Sequence, residues 1–111
     1  MSRLSFGDVV LLKFPFTDNS ASKRRPPLVI SDFEDGDIIV CRITSRLYQI
    51  AFDIVLTNWE KAGLKLPSIV RIHKIATLTK NMVELKMGEI HRTDKDKARE
   101  LVGKLSESNA H

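Results

Sequence analysis

Arg71 and His73 stand two residues apart in the segment Ser68-Ile-Val-Arg-Ile-His-Lys74. In an extended strand, side chains at i and i+2 point the same way, so this spacing places a guanidinium beside an imidazole. Val70 and Ile72 then fill the core behind them, and the polar pair is presented on a rigid platform. A guanidinium is permanently charged and grips anions. An imidazole, with an unperturbed pKa of about 6.5, moves protons near neutrality. Thr44 and Ser45 add hydroxyls at the end of the alternating segment Asp37 to Arg46. Arg25 closes a long polar stretch from Pro15, which contains Thr17 and ends in Lys23-Arg24-Arg25, and Pro26 stiffens its exit. Loops of that length are usually functional, and Lys23, Arg24 and Arg46 could track a polyanionic backbone. A bland account also exists for each group: a solvated loop for Arg24 and Arg25, ordinary strand-end polarity for Thr44 and Ser45, and a solvent-facing sheet for Arg71 and His73.

Composition removes most other chemistries. The chain has 111 residues, 42% of them hydrophobic and 29% charged, which fits one domain over residues 1–111. Cys41 is the only cysteine, so neither a disulfide scaffold nor a Cys-built zinc site is available. Cys41 alternates with Ile39 and Ile43 and is expected in the core. The three histidines show no HExxH spacing, and the five scattered glycines form no phosphate loop. No metal and no cofactor is therefore expected. Eighteen Lys and Arg against 14 Asp and Glu leave a charge of +4, which leans toward an anionic partner. There is no secretory h-region, and the aliphatic run Val9 to Leu12 is far short of the roughly 20 residues that span a bilayer. A cytoplasmic domain without a membrane partner is expected.

The elements that must position these residues are mostly strands. The pattern predicts them at Val9–Phe14, packed on both faces, at Pro27–Ser31, at Asp37–Arg46, at Ala51–Leu56 and at Ser68–Leu78. The last is expected to bulge where Lys74-Ile75 breaks the alternation. Asp35-Gly36 offers hairpin chemistry, and Asn58 to Gly63 one helical turn, with Trp59 as a packing lid. A terminal helix is predicted over about 93–106, capped by Thr93 with Asp96 completing a capping box. Ala98, Leu101, Val102 and Leu105 form its apolar stripe, and 107–111 reads as a frayed tail. Short strands followed by one docked helix predict a mainly β fold, a partly open β-barrel with a helix.

Taken together, the stretch GDVVLLKFPFTDNSASKRRPPLVIS resembles the opening of the MazF/PemK family of toxin endoribonucleases. The similarity continues through VCRITSR and LTNWEKAGLKLPSIVRIHKI, from Ser5 to about Leu105. The resemblance implies an SH3-like barrel of the CcdB/MazF/PemK type with a C-terminal helix, usually a homodimer. It implies cleavage of single-stranded RNA without a metal and a cognate acidic antitoxin as partner. Arg25 matches the family's loop arginine, Thr44 its strand-end hydroxyl, and Arg71 an arginine used by PemK-type members. His73 falls where those members carry an acid, and the loop before Arg25 differs in length and residues. Two other readings share the fold: a non-enzymatic CcdB-like toxin binding a protein target such as gyrase, and a catalytically silent nucleic-acid-binding barrel.

Overall fold

The computed structural model describes residues 3–13, 26–46 and 49–108. Among the described residues, six strands occupy β1 (Asp8–Leu12), β2 (Leu28–Asp32), β3 (Asp37–Thr44), β4 (Asp53–Val55), β5 (Ile69–Thr79) and β6 (Val83–Glu89). One helix, α1, follows at Arg92–Ser108. The strands form a single sheet in the order β4-β5-β3-β2-β1-β6, with every pairing antiparallel. Among the described residues β4 and β6 are not paired to each other, so the sheet is a partly open barrel.

Burial on both faces explains why β1 shows no clean alternation. Val9 points into one core with Leu28, Cys41, Ile43, Ile54, Val70 and Ile72, while Val10 and Leu12 enter a second with Val29, Ile38 and Val40. Leu101, Val102 and Leu105 of α1 pack on the first core, around fully buried Ala98, as the apolar stripe predicts. Phe52, Ile54 and Leu56 meet there together, and Trp59 lies over it.

The turn after β4 closes with Gly63 at φ +88°, its N–H donating to Glu60 O. A Cβ there would lie 2.8 Å from Met87 O, so only glycine lets the turn press against β6. The hairpin between β2 and β3 places positive φ at Glu34 and Gly36, while Asp35 Oδ1 accepts the Asp37 N–H.

Two expectations need correction. β6 was not among the predicted strands, although Val83, Leu85 and Met87 alternate with Glu84 and Lys86. Its charged positions lie on an edge strand, where they carry little hydrophobic signal. The helix begins at Arg92 rather than Thr93 and runs through Ser108, so Glu107 and Ser108 are helical and not tail; 109–111 lie outside the described residues. His91 is its N-cap: His91 O accepts the Lys95 N–H, and His91 Nδ1 accepts the Thr93 N–H at 3.2 Å. The Thr93–Asp96 capping box does not form, because Thr93 lies inside the first turn with its hydroxyl 2.9 Å from His91 Nδ1; Asp94 beside it is buried and accepts from Thr57 N and Oγ1 at 2.9 and 3.0 Å. That tie between α1 and the segment after β4 sets where the helix begins.

Candidate active site

β3, β5 and β4 lie side by side and carry a row of charged residues across one face. Arg42 on β3 stands opposite Arg71 on β5, and Arg71 stands opposite Asp53 on β4. Residues directly opposite in an antiparallel pair project to the same side. The other face of this row is Ile43, Val70 and Ile54, all in the first core. The arginine is therefore mounted on a packed sheet, as its neighbours in sequence predict.

Arg71 Nε donates to Asp53 Oδ1 at 2.9 Å, and Asp53 Oδ2 accepts the Ile50 N–H at 3.0 Å. The carboxylate side chain is 1% exposed and the guanidinium 11%, so both are held out of bulk water. Asp53 was not singled out from the sequence. The signal was there: a carboxylate at a strand start, inside an otherwise apolar Phe52–Leu56 run. Arg71→Ala would leave the Asp53 carboxylate without its ion partner, so a stability loss accompanies the loss of any functional role.

The predicted bulge lies immediately beside this pair. Between Cys41 and Arg42 the partner on β5 jumps from Ile75 to Arg71, so Ile72, His73 and Lys74 are extra residues. Without the bulge, Arg42 would face Lys74. Alternation nevertheless holds through this stretch: Val70 and Ile72 both enter the first core, while Arg71 and His73 are half-buried on the opposite side, as the i, i+2 spacing predicts. Ile72 N donates to Phe52 O at 3.0 Å, and the His73 ring tilts against Phe52 at 6.3 Å between centroids. Burial holds the imidazole below its usual pKa. The charges of Arg71 and Lys74 push the same way, and Asp53 opposes them. The ring is therefore neutral at pH 7. Among the described residues, its buried Nδ1 has no hydrogen-bond partner.

Thr44 ends β3, two residues from Arg42 on the same face, and is buried; its Oγ1 accepts the Arg46 N–H at 3.1 Å. Ser45 and Arg46 are exposed just beyond it. The structure thus gathers Thr44, Arg71 and His73 around β3 and β5, with Ser45 and Arg46 at the rim. Arg25, Thr17, Lys23 and Arg24 lie outside the described residues. Cys41 takes no part: burial pushes its thiol up to about 12. Among the described residues, no cluster of three His, Cys, Asp or Glu side chains could hold a metal ion.

Residues 5–107 match the family of PemK-like, MazF-like toxins of type II toxin–antitoxin systems. The chain belongs to that family. The open barrel and its terminal helix are the MazF fold. A mycobacterial endoribonuclease superposes with a TM-score of 0.74 at 17% identity, covering 96% of this chain and 94% of its own. MazF from Deinococcus radiodurans superposes with a TM-score of 0.73 at 23% identity, covering 96% and 99%. A mycobacterial endoribonuclease in complex with its cognate antitoxin matches at 0.69 and 18%, covering 96% of each chain. No curated protein matches this member of the family. No helix among its described residues is long and apolar enough to cross a membrane.

Proposed function

We propose that this toxin is an endoribonuclease that cuts single-stranded mRNA without a metal, and that residues 1–111 act as one toxin domain. The observation that carries the reading is Arg71, fixed by a buried Asp53 beside a neutral imidazole and a strand-end hydroxyl. RNA supplies its own nucleophile, the 2′-OH next to the scissile phosphorus. His73 accepts the 2′-OH proton, and the 2′-oxygen bonds to phosphorus. The P–O5′ bond breaks, leaving a 2′,3′-cyclic phosphate, and the 5′-oxygen leaves as a hydroxyl after taking a proton from Arg25. An arginine is a poor base at neutral pH, so Arg71 serves as the charge donor to the phosphorane oxygens. Asp53 fixes the direction of that donor. Thr44 donates its hydroxyl proton to a phosphate oxygen, while Thr17, Lys23, Arg24, Ser45 and Arg46 follow the strand.

General base help is worth about 10²–10⁴ in rate, and one aimed donor about 10²–10³. Neither role needs a cofactor. The +4 charge favours an acidic antitoxin that covers this face, and the fold's membership supports a homodimer in the cytoplasm. Purified protein incubated with a long RNA in EDTA tests the reading, with the product ends mapped. Cyclic-phosphate and 5′-OH ends at a repeated short sequence are expected. Intact RNA would overturn it. His73→Gln should lose about 10²-fold in rate and the acidic limb of the pH profile; a retained rate with an unchanged profile would reduce His73 to a positioning role.

A further inference from the structure

Arg42 is the charge that the site described above leaves unexplained. It stands directly opposite Arg71, on the same face, across the two strands with the longest shared ladder in the sheet. Opposite residues in such a pair have Cβ atoms about 4.5–5.5 Å apart, and like charges placed there are destabilising. The only carboxylate in the row, Asp53, lies on the far side of Arg71 and is already engaged by it. Arg42 is half-buried, and among the described residues no carboxylate lies within ion-pair distance of it. The row therefore carries two guanidiniums against one carboxylate, on a rigid and partly dehydrated surface.

The backbone is built to make this encounter. The three extra residues Ile72–Lys74 in β5 bring Arg71 into register with Arg42. A regular ladder would put the flexible ammonium of Lys74 there instead. Two planar forks side by side offer parallel N–H donors that match the oxygens of one tetrahedral anion, which a point charge does not.

We infer that Arg42 and Arg71 together form a clamp for a phosphate group, Arg42 binding a phosphodiester of the substrate strand. The assignment deepens the ribonuclease reading and rests on it for the identity of the strand. The clamp itself, a site for a phosphate-type anion, follows from the register alone. Arg42 touches the phosphate but moves no proton, so its loss weakens binding more than it slows the bond-breaking step.

Two measurements test this. In the first, the arginine side-chain N–H signals of ¹⁵N-labelled protein are followed by NMR while inorganic phosphate replaces chloride at constant ionic strength. The Arg42 and Arg71 signals should shift together, and Arg42→Gln should reduce the Arg71 shift severalfold. If the Arg71 signal responds equally in the variant, or neither signal moves in the wild type, there is no clamp. In the second, binding of a 2′-O-methyl oligoribonucleotide pool, which cannot be cut, is measured against salt. Arg42→Gln should lower the slope of log affinity against log salt by about 0.7, the value of one single-strand phosphate contact. Arg42→Lys should keep the slope yet bind more weakly, because the fork is lost. Unchanged affinity and slope in Arg42→Gln would overturn the strand contact. Should the phosphate shifts appear while the wild type neither binds the pool nor cuts RNA, the ribonuclease reading fails and the anion clamp stands. Both variants retain the wild-type circular dichroism spectrum if the role is in binding.

Discussion

Two buried carboxylates pair with cations at opposite ends of β5, and their neighbours give them opposite consequences. Asp32 accepts from Leu4 N and Glu34 N at 2.9 Å each and from Lys80 Nζ at 2.6 Å. The Lys80 contact, then the two backbone donors, hold its carboxyl at about 2, against 3.8 ordinarily. That node joins the N-terminal segment, the β2–β3 hairpin and the end of β5, and its charges balance. Asp53 also accepts one backbone N–H and one cation, but its cation faces a second arginine and a neutral histidine. The first pair closes a structure; the second stands opposite Arg42, which has no carboxylate partner among the described residues. The same chemistry becomes a staple or an anion site according to what stands next to it.

The largest expected effect separates the two nodes by function. Arg71→Ala should cut the RNA cleavage rate by about 10²–10³ and also lower stability by about 3 kcal/mol, because the Asp53 carboxylate stays buried and unpaired. Single-turnover cleavage and urea denaturation check both parts, and a stable, active variant would erase the distinction. Asp32→Asn should cost about 2 kcal/mol of stability and leave cleavage unchanged. A slowed reaction would mean that this node also serves the site.

Acid sharpens the contrast further. The Asp32 carboxyl is lowered in the folded state, so its ion contributes fully above the unfolded value of 3.8. That contribution is lost as pH falls from about 4 toward 2. In Asp32→Asn, this part of the acid-unfolding curve should flatten. The smallest expected effect is on the His73 pKa in Asp53→Asn. The Asp53 carboxylate opposes the depression of the His73 pKa, so removing it should lower that pKa further, as read by NMR titration of the imidazole. A rise instead would show that Arg71 had moved away from the ring.

Local patterns carried much of the fold. The alternation of β3, the Phe52–Ile54–Leu56 set, the α1 stripe and the bulge in β5 follow from side-chain period and turn chemistry alone. β6 carries the same period, Val83, Leu85 and Met87 between Glu84 and Lys86, so it too is legible in the sequence, although little of it is buried. The helix start was misplaced because Asp94 answers Thr57, 37 residues away, and no local rule weighs that bond. At the candidate site, Arg71, His73 and Thr44 were legible as residue types at suggestive spacings. Asp53 was not, since a lone carboxylate in a strand means little until its partner is known.

By itself, the sequence determined which side chains face a core, which family the chain resembles, and that a guanidinium, an imidazole and hydroxyls would sit on strands. Only the tertiary structure decided which of them meet. Opposition across strands depends on register: three extra residues in β5 align Arg71 with Arg42, while the regular β4–β5 ladder sets it opposite Asp53. Periodicity records which way a residue points; it holds no information about what a distant strand places beside it.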